Sequence, residues 1–349
     1  MNPVITRSEQ DTLALARALL VASGSPPDLA NDVAESLVGA NMAGHDSHGI
    51  QLLAGYIGMA QKGVVAAATR VSVLKRAGAM AVLDGGWGWG QSAARAATAQ
   101  AIELARESGV GAVTVQRCHH IGRVGEYVER FARAGMTGVV VCNAGPAVLP
   151  YGGAQKRLGT NPIAWAAPGS DPERPLLTDL ATSMVAGNKI ALAQARGVEA
   201  MAPGLFVDAE CNPSTRPADF FAGGALLPAA GHKGYALGVM VEFLGGALSG
   251  GWVSPLPEKH YGNGPLFLAL NIPAFTDAAG FRGQVDAYRQ TIASTTPARG
   301  HERVQLPGDH EADTRRARAV SGIPIPQPTW AELLALCDAL GVAPPGGRA

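Results

Sequence analysis

Asp84-Gly85-Gly86-Trp87-Gly88-Trp89-Gly90-Gln91 lies between a β-rich run, Ala81–Leu83, and an alanine-rich helical stretch, Ser92–Glu107. Strand, glycine-rich turn and helix, in that order, is the layout of a dinucleotide-binding fingerprint. The spacing argues against one. A fingerprint needs GxGxxG and an acidic residue about 20 positions further on to hold a ribose. Here Gly86, Gly88 and Gly90 alternate, and Glu107 falls at the end of the helix rather than after the next strand. A glycine-rich turn packed with two tryptophans is the better reading. No doubly wound Rossmann unit is expected.

Outward from this turn the pattern is α/β. Val71–Leu74, Ala112–Val115, Gly138–Cys142 and Leu266–Leu270 read as further strands, and Gly125–Ala134 as a further helix. A loop-rich insertion is expected from about Val198 to Leu227. The first 65 residues read as helices instead. Ser8 can cap one, with Asp11 three positions on, and Leu13, Ala16, Leu19 and Leu20 then share a face. Asp28 opens a second, with a stripe of Leu29, Val33, Leu37 and Val38, and Ile50, Leu53, Tyr56 and Ile57 make a third. Past Thr276 the chain turns helical again at Ala287–Ile292, Glu311–Val320 and Trp330–Leu340. The prolines of Pro324-Ile325-Pro326-Gln327-Pro328 read as a joint before the last helix. Two lobes are expected: a helical one from residues 1–75 with 285–349, and an α/β lobe from 76–284 that holds a cofactor.

The 349 residues suffice for a large core, and 47% apolar content with only 16% charged residues argues against disorder. Lys+Arg and Asp+Glu number 28 each, so no basic excess points to nucleic acid or a membrane surface. Such low charge, with apolar helices at both ends of the chain, suggests mutual burial in a homodimer or larger assembly. Tyr235–Leu248, the most apolar stretch, contains glycines and Glu242 and is too short for a membrane span. With no secretory pattern at the N-terminus and four scattered cysteines (Cys118, Cys142, Cys211, Cys337), a cytoplasmic protein with reduced thiols and no zinc site is expected.

Three clusters carry candidate chemistry. Gly44-His45-Asp46-Ser47-His48-Gly49-Ile50 gathers three groups able to hold or share a proton and a hydroxyl, followed by a glycine that lets the backbone turn. Histidine titrates nearest neutrality and is the usual general acid–base. Cys118-His119-His120-Ile121-Gly122-Arg123-Val124-Gly125-Glu126-Tyr127 and Gly231-His232-Lys233-Gly234-Tyr235-Ala236-Leu237 are the other two. Backbone amides of glycine turns and a lysine suit a pyrophosphate.

In these clusters the chain resembles the malate/L-lactate dehydrogenase family of the second type, NAD(P)-dependent oxidoreductases of 2-hydroxy and 2-oxo acids, and most closely its hydroxycarboxylate dehydrogenase B subgroup. Leu158-Gly159-Thr160-Asn161-Pro162, Asp179-Leu180-Ala181-Thr182-Ser183 and Leu306-Pro307-Gly308 extend the likeness from about residue 10 to about residue 325. The resemblance implies a non-Rossmann sheet, mixed or mainly antiparallel and flanked by helices. It implies NAD or NADP contacts from His48, Gly122, Arg123, Val124, Thr178, Asp179, Leu180, Ala181, Thr182, His232, Lys233, Leu306, Pro307 and Gly308. His48 is the first candidate for the acid–base and His120 the second, with Ser47 beside them. Asp179 either orients a catalytic imidazole or caps a helix starting near Met184. His119 reads as a solvated or structural ring.

One position departs from the family. Many members carry an arginine four residues after the DSHG histidine, to which the resemblance assigns the grip on the substrate carboxylate; here that position is Leu52, while Tyr56 is retained. A carboxylate needs a cation or several donors, so the grip must come from elsewhere, with Arg123 or backbone amides as candidates, and Leu52 favours a bulkier, less polar acid over malate. The expected activity is interconversion of 2-oxo and 2-hydroxy carboxylic acids by a cytoplasmic homodimer. Reduction of a cyclic imino acid is the rival within the family. A metal-dependent hydrolase with His45, Asp46, His48, His119 and His120 as ligands is the rival outside it, although no HExxH-type pair exists and no metal is expected.

Overall fold

Ser8 Oγ accepts a hydrogen bond from the Asp11 amide (3.0 Å), and that cap starts the first helix. The structure, a computed structural model, describes residues 3–256 and 262–344. In chain order the strands and helices are β1 (Val4–Arg7), α1 (Glu9–Ala22), α2 (Pro27–Met42), α3 (Leu53–Gln61), β2 (Ser72–Ala77), β3 (Met80–Asp84), α4 (Gly90–Ser108), β4 (Val110–Gln116), α5 (Gly125–Arg133), β5 (Thr137–Cys142), β6 (Ile163–Ala167), β7 (Leu176–Leu180) and α6 (Gly187–Ala195). There follow β8 (Phe206–Val207), β9 (Pro213–Ser214), α7 (Pro217–Phe221), β10 (Ala225–Leu226), α8 (His232–Val241), β11 (Pro265–Leu270), α9 (Ala278–Ala293), α10 (Asp309–Ser321), β12 (Ile323–Pro326) and α11 (Gln327–Leu340).

Seven strands form the central sheet, in the order β2-β3-β4-β11-β5-β6-β7. Only β3 and β4 run parallel, joined by α4; every other neighbouring pair is antiparallel. The sheet is thus mixed and mainly antiparallel, and the glycine-rich turn opens no Rossmann unit. Alternation decides which face is buried. Val113, Val115, Phe267, Ala269, Val140, Ala164 and Ala166 point at α4 and α5 and are shielded from solvent, together with Tyr127 and Phe131 of α5.

A second core lies among the helices. Leu15, Leu19 and Leu20 of α1 meet Val33 and Leu37 of α2, Leu53 and Ile57 of α3, and Trp330 and Leu333 of α11. The expected proline joint is a strand: β12 pairs antiparallel with β1, with Pro324 opposite Thr6 and Pro326 opposite Val4. In a two-stranded ribbon each proline can turn its missing N–H outwards. The expected loop at 198–227 contains a small sheet, β10-β8-β9, and α7. The expected lobe boundaries fall inside elements, residue 75 within β2 and residue 285 within α9, whose Val285 packs with Ala167 and Leu176 against the α/β part.

Candidate active site

The Asp46–His48 segment is a single 3₁₀ turn between α2 and α3. Four polar groups hold it. Asp46 accepts hydrogen bonds from Asn41 Nδ2 (2.8 Å), Arg196 Nη2 (2.9 Å) and Arg318 Nη1 (2.5 Å). Asn41 Oδ1 in turn accepts the Ile50 amide (2.8 Å). His45 Nε2 pairs with Glu311 (2.8 Å). Gly49 was expected for its conformational freedom, yet its φ of −92° is open to any residue. Space is the reason instead: a Cβ there would lie 2.3 Å from Asn41 Oδ1.

His48 and His120 stack, with ring centroids 5.8 Å apart and planes within 19°. Ser47 Oγ lies 3.1 Å from His48 Nδ1. Tyr56 Oη lies 2.5 Å from His120 Nδ1 and accepts a hydrogen bond from Gln91 Nε2 (2.9 Å). Since Gln91 occupies the phenol as donor, the phenolic hydrogen is free for the imidazole. Burial raises the Tyr56 pKa, which keeps that hydrogen in place. Burial also holds His48 well below the ordinary histidine value, with the neighbouring basic groups His120, His45, Lys189 and Arg123 acting the same way. His120 is pushed down to about 4 by desolvation. Both rings are therefore neutral at pH 7.

A cleft of about 390 Å³ opens beside His48. One wall is Gly122, Arg123 and Val124; the others bring Asp179, Leu180 and Ala181 from the end of β7, Met184 and Val185 after it, and Lys189 from α6. Gly122 needs its glycine, because φ is +76°. The structure thus gathers His48, Gly122–Val124 and Asp179–Ala181 as the sequence led one to expect. Arg123 and Glu129 form a buried ion pair in which Arg315 shares (3.3 Å to Glu129 Oε2).

Other expected contacts and placements differ. Asp179 meets no imidazole and caps no helix near Met184: its Oδ2 accepts the Gly125 amide (2.8 Å) at the start of α5, and α6 begins at Gly187 without a side-chain cap. Thr178 is on β7 opposite Trp165, and Thr182 is buried, its Oγ1 donating to the Thr160 carbonyl (3.1 Å). His232 and Lys233 form the first turn of α8, where His232 meets the Tyr151 ring at 6.0 Å. Leu306, Pro307 and Gly308 stand outside the cleft lining; the Pro307 carbonyl accepts the Leu177 amide (3.1 Å). Leu52 packs into the helical core rather than lining the cleft, so the argument from Leu52 to an apolar substrate loses its ground. His119 donates to the Val64 carbonyl (2.9 Å) beneath Trp87, a structural role as expected. The hydrolase ligand set is not gathered: His45, Asp46 and His119 have the separate partners given above. Among the described residues no group of three or more His, Cys, Asp or Glu side chains is placed to hold a metal ion, and no helix is long and apolar enough to cross a membrane.

Sequence reasoning missed Gln91, Lys189, Glu129, Arg196, Glu311, Arg315, Arg318 and Asn263, whose Oδ1 accepts the Ile121 amide (3.0 Å) and so fixes the His120–Arg123 loop. Most come from remote segments and carry no local motif. Gln91 alone had a signal, since it closes the glycine-rich turn.

Comparison with known proteins agrees with this geometry. The family model for malate/L-lactate dehydrogenase matches residues 8–334. An L-lactate dehydrogenase of Cupriavidus necator is 38% identical over 95% of this chain and 97% of its own length. Hydroxycarboxylate dehydrogenase B of Escherichia coli is 36% identical over 95% of this chain and 93% of its own. The crystal structure of malate dehydrogenase from Entamoeba histolytica superposes with a TM-score of 0.94 at 26% identity, covering 98% of this chain and 100% of that one. A cleft lined by one ring of a stacked histidine pair, on a sheet of this topology, thus sits in an oxidoreductase: the chain belongs to the malate/L-lactate dehydrogenase family.

Proposed function

We propose that the protein interconverts 2-oxo and 2-hydroxy carboxylic acids with NAD or NADP, and that His48 is its acid–base. The observation that carries this reading is the stacked, neutral His48–His120 pair at the edge of a cleft with a glycine wall. The cleft fits a nicotinamide cofactor. Among the described residues the amides of Gly122, Arg123 and Val124 have no hydrogen-bond partner, as a bound phosphate requires, and Leu180, Met184 and Val185 offer an apolar wall for a ring. The cofactor would supply the hydride that reaches C2 of the oxo acid.

The chain's own residues handle the proton. Negative charge grows on the carbonyl oxygen as C2 is reduced, and protonated His48 gives its Nε2 proton to that oxygen, then recovers one from solvent. In the reverse direction neutral His48 takes the hydroxyl proton. Ser47 at Nδ1 sets the ring's tilt. His120, fixed by Tyr56 and Gln91, backs the ring and keeps it from swinging out of the cleft.

We also infer a homodimer. The terminal helices, expected to supply its surface, pack on each other in the helical core. Large apolar side chains stand exposed instead along α8 and the π-helical turn after it, at Leu237, Met240, Phe243, Leu244 and Leu248. A second copy with the same stripe suits a two-fold contact. A screen of 2-oxo acids with NADH and NADPH in parallel, followed at 340 nm, tests the activity. Consumption of one reduced cofactor dependent on an oxo acid is expected; none with any acid would refute the reading.

A further inference from the structure

Leu52 stands where many members of the family carry an arginine, and its partly buried side chain packs against the helical core rather than lining the cleft. The negative charge of a 2-oxo acid must therefore meet another cation. Arg123 lines the cleft beside His48, and its side chain is 3% exposed. One guanidinium nitrogen, Nη2, bonds to Glu129. The other, Nη1, is buried and has no hydrogen-bond partner.

An unpaired donor on a buried guanidinium is costly, of order 1–3 kcal/mol for the desolvated group, so it is kept where something arrives to pair with it. The surrounding carboxylates do not. Asp179 caps α5, Glu311 holds His45, and Glu126 binds Arg95 (2.7 Å). Glu129 is divided between Arg123 and Arg315. The guanidinium is thus only partly neutralised from behind.

We propose that Arg123 binds the carboxylate of the oxo acid, and that Arg315 tunes its strength by drawing on Glu129. This rests on the activity proposed above. An oxoanion is the shared chemistry, and a cofactor phosphate is the other source of one. The carboxylate is favoured because the unpaired amides at Gly122–Val124 offer a phosphate a site of its own, while Lys189, the other lysine or arginine lining the cleft, is exposed and lacks the planar fork that matches a carboxylate.

The test uses the full-length enzyme, with wild-type turnover measured first so that loss of the activity itself is seen separately. NADH- or NADPH-loaded protein is titrated with oxamate, a non-reducible analogue, and with uncharged oxamide. Cofactor affinity and the KM of the best oxo acid are measured alongside. Arg123→Lys keeps the charge but loses the planar fork, and should weaken oxamate and raise KM about tenfold with cofactor affinity unchanged. Arg315→Met leaves Arg123 in place and frees Glu129 to neutralise it, so KM should rise severalfold with kcat retained. Oxamide binding should not respond to either change. Unaltered oxamate affinity in folded Arg123→Lys overturns the proposal. So does a loss confined to cofactor binding, which would place a phosphate at Arg123.

Discussion

His48 carries the proton in this account, and its environment makes a pH prediction with a definite sign. Desolvation lowers its pKa below the ordinary 6.5. Oxidation of the hydroxy acid needs neutral His48, so its kcat/KM should stay flat from pH 8 down to about 6.5, where an ordinary histidine would already be half protonated. Reduction needs the protonated form, so its kcat/KM should keep rising as pH falls below 6.5. Initial rates in both directions check this; an oxidation limb centred at 6.5 would contradict it. Tyr56→Phe should lower kcat by about tenfold with little change in KM, since it frees the His120 ring rather than removing a substrate contact. The motif histidines were legible because their residue type announces proton chemistry. The unpaired Arg123 nitrogen was not, because pairing depends on Glu129 and Arg315, the latter nearly two hundred positions on.

One helix, α10, holds both halves of the cleft. Glu311 binds His45, Arg318 binds Asp46 on the catalytic turn, and Arg315 reaches the carboxylate behind Arg123. Arg318→Met would leave Asp46 buried with fewer donors, at a cost of about 3 kcal/mol. Urea unfolding should show that loss, and kcat should fall with it as the turn loosens. Unchanged stability would mean that the turn holds itself. Long periodic elements such as α1, α4 and β4 could be read from spacing alone, and the alternating glycines correctly excluded a Rossmann turn. β6 and β7 were missed because their composition does not announce strands: Ile163–Ala167 carries three alanines, and Leu176–Leu180 three leucines and an aspartate. β12 was hidden by prolines, whose usual exclusion from sheets does not extend to a two-stranded ribbon.

At the scale of the whole molecule, buried neutral histidines link stability to pH. His120 titrates near 4 when folded and near 6.5 when unfolded. The unfolded chain therefore binds the proton more readily between those values. Its contribution is fully present above pH 6.5 and is lost as pH falls towards 4, up to roughly 3 kcal/mol. Denaturation midpoints at pH 7 and 5 should differ accordingly, and His120→Asn should narrow the gap. Association is the other whole-molecule property. Light scattering should report a dimer, and Phe243→Asp with Leu248→Asp should shift it towards monomer; unchanged mass would move the interface elsewhere. The central claim is that a histidine in this cleft protonates the oxo acid during reduction. Steady-state reduction by wild type, His48→Asn and His120→Asn, with cofactor affinity measured in parallel, tests it most directly. His48→Asn should lose about a hundredfold or more in kcat while still binding cofactor, with a smaller loss for His120→Asn. Normal turnover by both variants would contradict it.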